Sequence, residues 1–229
     1  MQARGKGRTL AVALTAAAAL AAAAPSGASA APATILAGDP LAMNPNVFSA
    51  PSYAHQAGTV ASLRWRAGGP HDADAAGNGP DGEPFFATEL TRSSLPVNGT
   101  QYLDRGVYPF FCSIHDGMTS SLNVNSGTPL PRPELRLKLK TKDLDRVVRK
   151  GALRVKAAIT GGSGEEAEVE VRLGKKRVAK TGSTRRSKVL KLRLTKKGRA
   201  ALAKRAKAKL KLLGTIEFGE PERAKAKLR

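Results

Sequence analysis

The run Tyr108-Pro-Phe-Phe-Cys112-Ser-Ile-His115-Asp-Gly-Met118 sets a thiol, an imidazole and a thioether at three-residue intervals. Cys112 is the only cysteine in the 229 residues, so no internal disulfide can use it, and in a chain of exported form a lone cysteine suggests a thiol with a role of its own. Sulfur and imidazole donors together select copper over hard cations such as calcium or magnesium. A second histidine would complete a trigonal plane of one thiolate and two imidazoles, with the thioether as a weak axial ligand. It must be His55 or His71, the remaining histidines. A thiol nucleophile with His115 as its base fits less well, because Met118 stands behind the pair in the same short loop.

Side chains alternate along a strand, so Tyr108, Phe110 and Cys112 share one face. If the aromatics point inward, the thiol does too. The short loop then returns His115 and Met118 to the same point without a long, entropically costly closure, and Leu122 and Val124 read as inward positions of the next strand.

From about Gly58 to Val124 the chain resembles the small blue-copper proteins, the plastocyanin, amicyanin and pseudoazurin group of cupredoxins. Their pattern Gly-x-Tyr-x-Phe-x-Cys-x2-His-x2–4-Met is matched by Gly106, Tyr108, Phe110, Cys112, His115 and Met118. The two-residue gap between His115 and Met118 is similar to the short amicyanin-type ligand loop. Ser120 departs from the glycine that many members carry after the methionine, which bears on the following turn and not on the ligands.

The resemblance implies one type 1 copper held by His71, Cys112, His115 and Met118. His71 follows the strand Leu63-Arg-Trp65-Arg and Pro70, as the family's first histidine follows an aromatic-bearing strand, and precedes Cys112 by 41 residues. His55, within Pro51-Ser-Tyr-Ala-His-Gln, is expected to be a solvent-facing loop residue. The resemblance further implies that Asp72, where asparagine is commoner, bonds across to Ser113 and ties the ligand loops together. By the same resemblance His115 would be the electron's exit, rimmed by Pro70, Ile114 and Gly117, and the partner would be a redox protein that the sequence does not identify. Trp65, Tyr108 and Phe110 are expected in the core.

The elements that must position these residues are extended. Thr59 to Arg66 and Gly106 to Cys112 read as strands, as does Gln101 to Leu103, while Gly77 to Pro84 is a glycine- and proline-rich loop. Asn125-Ser-Gly-Thr-Pro-Leu-Pro-Arg-Pro133 reads as an extended connector. Beyond it aliphatic residues, mostly leucine, valine and alanine, alternate with charged ones, mostly lysine and arginine, at 135–140, 153–159, 169–173, 190–194 and 206–212, the signature of half-buried antiparallel strands. Gly174-Lys-Lys reads as a hairpin turn, and Thr195 as the cap of a short helix to about Lys204. The expected fold class is all-β: a cupredoxin-like antiparallel β-sandwich at 31–124, a Pro-rich linker at 125–134, and a second, immunoglobulin-like sandwich with one short helix at 135–229.

Residues 31–127 carry four Lys and Arg against eight Asp and Glu, a net −4, whereas 128–229 carry 32 against 10, a net +22. Residues 1–30 have the form of a secretory signal: Arg4, Lys6 and Arg8, an apolar run from Leu10 to Ala24, and Ala28-Ser29-Ala30 as a cleavage site. That run of about 15 residues is short of the roughly 20 that span a bilayer. No later stretch approaches a membrane span, so a secreted, cell-surface or periplasmic location is expected. Nucleic acid is an unfavoured partner for the basic half, since Phe218 is the only aromatic after residue 127 and no base-stacking platform exists. Anionic cell-envelope polymers or lipid headgroups suit it better. Three histidines cannot furnish the trinuclear cluster of a multicopper oxidase, and neither a phosphate-binding Gly-rich loop nor a Ser-His-Asp pattern occurs, so no enzymatic activity is expected. The function expected is single-electron transport by a copper protein; the alternative is an extracellular copper-binding or adhesion protein that uses the same scaffold without electron transfer.

Overall fold

The computed structural model describes residues 31–229; the expected signal segment lies outside the described residues. Among the described residues, seven strands form the first half: β1 Thr34–Ala37, β2 Tyr53–Ala57, β3 Ala61–Trp65, β4 Asp74–Ala75, β5 Leu95–Val97, β6 Gly106–Phe111 and β7 Thr119–Gly127. They build two sheets, β1-β3-β5 and β2-β7-β6-β4. Their inner faces meet in a core that includes Ile35, Leu63, Phe86, Val97, Phe110, Leu122 and Val124. Alternation does this directly: β7 buries Ser120, Leu122 and Val124 and turns the residues between them outward or half outward. Two pairings are parallel, β1 with β3 and β2 with β7. Gln101 lies in a single turn of 3-10 helix, Thr100–Tyr102, and not in a strand.

The second half contains β8 Glu134–Leu139, α1 Leu144–Lys150, β9 Ala152–Thr160, β10 Ala167–Leu173, β11 Lys176–Arg177, β12 Gly182–Thr184, β13 Lys188–Arg193, α2 Lys196–Ala203, β14 Ala208–Ile216 and β15 Glu222–Leu228. One sheet runs β13-β9-β8; the other runs β11-β10-β14-β15, with β12 also on β10. Its core is a separate cluster of aliphatic side chains, among them Leu137, Leu153, Val155, Val169, Val171, Leu192, Leu210 and Leu212. Strict alternation on β8 and most of β14 buries every second residue and leaves the intervening lysines and arginines exposed.

The described residues are thus all-β apart from short helices, and among them are two α-helices where one was expected. The helix capped by Thr195 is present, the Thr195 hydroxyl accepting from the Gly198 N–H at 2.9 Å. The additional one, α1, has its own signals: Asp143 accepts from the Arg146 N–H at 2.8 Å, and Gly151 ends it with φ +62°, the left-handed conformation that glycine adopts without a Cβ penalty. No helix among the described residues is long and apolar enough to cross a membrane.

The two sandwiches touch through a polar seam. The Tyr102 hydroxyl donates to Glu165, which also accepts from the Ser163 N–H at 2.6 Å and the Ser163 hydroxyl at 2.8 Å. Phe218 packs its ring 5.8 Å from that of Tyr102 and donates its N–H to Asp81 at 2.7 Å. Phe218 adopts φ +60°, a strained conformation for a bulky residue that persists only where surrounding contacts fix it.

Candidate metal centre

Cys112 follows the last residue of β6, at the end of the β6–β7 hairpin remote from the seam. Phe110, two residues earlier on the same face, is held between Phe48 at 4.8 Å and Phe86 at 6.1 Å. That packing fixes the strand on which the thiol sits. The loop after Cys112 closes on itself: the Cys112 N–H donates to the Met118 carbonyl at 3.0 Å and the Met118 N–H to the His115 carbonyl at 3.1 Å. Gly117 turns the chain with φ +74°, where a side chain would be strained. Met118 is 1% exposed, buried in the same cluster as Cys112.

His71 comes from the other side. Its backbone is pinned to Thr91 by two hydrogen bonds of 2.8 and 2.9 Å. Its Nε2 lies 2.9 Å from the Ala67 carbonyl, a contact that only a protonated nitrogen can make, which leaves Nδ1 with a free lone pair. That Nδ1 lies 3.2 Å from His115 Nδ1 and 3.9 Å from Cys112 Sγ, and His115 Nδ1 lies 3.3 Å from the same sulfur. A triangle with sides of 3.2, 3.3 and 3.9 Å has a circumscribed radius of about 2.0 Å, close to the roughly 2.0–2.1 Å of metal–imidazole bonds and within a few tenths of the roughly 2.3 Å of metal–thiolate bonds at zinc. The donor set therefore fits one small, soft or borderline metal ion, and His71, Cys112 and His115 form a metal-compatible cluster.

The surroundings hold the donors in place. Asp72, 4% exposed, accepts the Ser113 N–H at 2.7 Å and the Ser113 hydroxyl, so the loops that carry His71 and Cys112 are tied together. The Trp65 indole N–H donates to the Gly69 carbonyl at 2.9 Å, and Asn46 accepts the Gly69 N–H at 3.0 Å. Gly69 lies so near His115 that a Cβ there would stand 3.2 Å from its Nε2. Asn46, Ala67 and Gly69 went unnoticed in the sequence, although Gly68-Gly69-Pro70 is the kind of run that permits close backbone approach. Burial pushes the Cys112 thiol up from its usual range. Burial also lowers His71, against its bond to Ala67, and the neighbouring His115 ring pushes in the same direction.

His55 is a correction. It lies on β2, fully buried, and its Nδ1 accepts the Ala33 N–H at 3.1 Å. It is not a solvent-facing loop residue, because β2 is covered on one side by β7 and on its inner face by the core. It is not part of the metal-compatible cluster, which lies at the other end of β7. Ile114 is 51% exposed beside the site, His115 is half-buried, and Gly117 is exposed.

No family model matches the chain, and no curated protein matches it. Among solved structures it is similar to a purple cupredoxin from Nitrosopumilus maritimus, at 16% identity, a TM-score of 0.32, and coverage of 41% of this chain and 99% of that one. It is also similar to a structure described as concerning host cell surface retention of a 1.5-MDa bacterial ice-binding adhesin, at 10% identity and a TM-score of 0.27, covering 76% of this chain and 59% of that one. Superpositions this low carry no assignment, and the reading of the site rests on its donor atoms.

Proposed function

We propose that this protein is an exported cupredoxin-type copper protein that carries single electrons. The observation that carries the reading is the triangle of His71 Nδ1, His115 Nδ1 and Cys112 Sγ, with sides of 3.2 to 3.9 Å, with Met118 buried in the same core cluster as Cys112. Copper bound there would supply a one-electron Cu(II)/Cu(I) couple. The chain's own residues do the rest. Cys112 would hold it as a thiolate, His71 and His115 through ring nitrogens, and Met118 would offer a thioether. Asp72 through Ser113, and Trp65 and Asn46 through Gly69, would hold the loops that carry these donors in place. A site held this firmly suits electron transfer, where little should move.

His115 is the only nitrogen donor of the cluster that is not fully buried, so it is the natural path to a redox partner that docks on Ile114, Gly117 and Pro70. The basic second sandwich would hold the molecule at an anionic cell envelope. Nothing in this reading calls for bond-making catalysis.

Cyclic voltammetry of the copper-loaded protein tests it. A reversible wave of one electron per molecule is expected. A protein that binds copper but shows no reversible wave would instead be a copper-binding or adhesive protein on this scaffold.

A further inference from the structure

The positive charge of the second sandwich is not spread evenly. Of the ten carboxylates in residues 128–229, Glu134, Glu165, Glu166, Glu168, Glu217, Glu220 and Glu222 stand at the starts of β8, β10 and β15 or in the turn after β14, the end that meets the first sandwich. Glu170 is taken up by Arg172, at 2.9 and 3.1 Å. Only Asp143 and Asp145 remain at the far end, and Asp143 caps α1.

At that far end the register places like charges directly opposite one another. Lys209 pairs with Lys227 and Lys211 with Lys225 across β14 and β15. All four are exposed, and none has an ion-pair partner among the described residues. Side chains two apart on a strand stand about 7 Å apart on one face, and opposed residues about 5 Å. Like charges so placed repel and destabilise the sheet. The four lysines thus form a two-by-two grid that an anion would relieve.

The four lysines are among the residues that line a groove of 1240 Å³, together with Arg205, Lys207 and Arg229. The positive track continues around the edge where β15 meets β8, through Arg229, Lys142 and Lys138, which line an adjoining groove of 350 Å³. No large hydrophobic side chain is exposed on β14 or β15, so nothing on this face would enter a bilayer. A concave track that bends around an edge fits a flexible chain better than a flat membrane.

We infer that the far end of the second sandwich binds a linear polyanion, with repeating phosphate or carboxylate groups laid across Lys209, Lys211, Lys225 and Lys227. This builds on the reading of the basic half as an envelope attachment and adds its face and its ligand. The metal-compatible cluster lies at the opposite end of the molecule, beyond the seam and the length of the β6–β7 hairpin. A polymer bound at the grid would leave His115 facing away from the envelope.

The test uses the full chain with long-chain polyphosphate and poly-L-glutamate as probes, and vesicles of anionic phosphatidylglycerol as the contrast, in titrations from 50 mM to 500 mM salt. A grid variant carries Lys209→Gln, Lys211→Gln, Lys225→Gln and Lys227→Gln. A control loses the same charge at the other end, through Arg185→Gln, Arg186→Gln, Lys188→Gln and Arg223→Gln. The grid variant should lose at least tenfold in affinity for one or both polymers and show a shallower salt dependence. The control should stay within about threefold, and the probe that binds tighter identifies the anion. Both variants should melt cooperatively, which excludes misfolding as the cause. Equal weakening by the two variants would overturn the assignment of the face, since net charge alone would then explain binding. Tighter binding to vesicles than to either polymer would overturn the choice of ligand. No binding by the wild type at 50 mM salt would sink envelope attachment itself while leaving the metal centre untouched.

Discussion

Cys112 Sγ stands 3.3 Å from His115 Nδ1 and 3.9 Å from His71 Nδ1, so removal of either partner should be felt at the sulfur. His71→Ala should abolish high-affinity copper binding, or leave a site with a different spectrum. His55→Ala should leave the copper spectrum as it was, although it opens a cavity in the first core. Copper titration followed by visible absorption separates the two, and the opposite outcome would reassign the second imidazole. Asp72 makes a subtler prediction. As a carboxylate bonded to Ser113 beside the metal-compatible cluster, it would favour the more positive Cu(II). Asp72→Asn should keep the tie between the loops and raise the reduction potential by on the order of tens of millivolts, 59 mV being a tenfold change for a one-electron couple. An unchanged or lowered potential in voltammetry would show that the charge does not reach the metal.

The elements explain why some of this could be read in the sequence and some could not. Tyr108 and Phe110 alternate on β6 and Cys112 follows at its end, and the loop to Met118 is local, so a pattern of period two and a short spacing were enough to bring three donors together on paper. The strands of the second sandwich were legible for the same reason, since Leu135, Leu137 and Leu139 have a charged residue at every other position. The parallel pairings of β1 with β3 and of β2 with β7 join segments far apart in sequence, and alternation carries no information about such partners. That is why His55 was misplaced: only its pairing opposite Val124 shows that it is inside. The helix α1 was overlooked because Val147 and Val148 are β-branched and the run is short, although Asp143 and Gly151 marked both of its ends.

Burial of His55 has a measurable consequence. Burial lowers its pKa below the ordinary 6.5, so the unfolded chain takes up a proton more readily than the native one. Stability from this residue is then complete above pH 6.5 and is lost as the pH falls towards the depressed native value. Thermal melts of the wild type and of His55→Asn at pH 7.5 and 5.5 should show the larger acid-induced drop in the wild type. An equal drop in both would mean that other groups account for it.

At the scale of the whole molecule, the seam at Tyr102, Glu165 and Phe218 decides whether the two sandwiches act as one body. Burial alone would raise Glu165, but hydrogen bonds from Tyr102, from its own backbone N–H and from Ser163 outweigh it and hold the carboxyl below its ordinary 4.5. The sign is that of a depressed carboxylate: its contribution is present above pH 4.5 and is lost as the pH falls through the native value. Calorimetry should therefore show a single transition at pH 7 and separated transitions in acid. Tyr102→Phe removes one hydrogen bond to a charged group, costing about 1.5–3 kcal/mol, and should favour separation already at neutral pH. A single transition under all these conditions would place the coupling elsewhere. A joined molecule presents the donor cluster at one end and a dense field of lysine at the other, which is the form expected of an electron carrier held at a surface. The most direct test of that account is a Cu(II) titration of the full chain read by visible absorption. One equivalent should bind and produce an intense thiolate-to-copper band that Cys112→Ser abolishes. Weak absorption typical of an ordinary tetragonal site, or an intense band that survives Cys112→Ser, would contradict it.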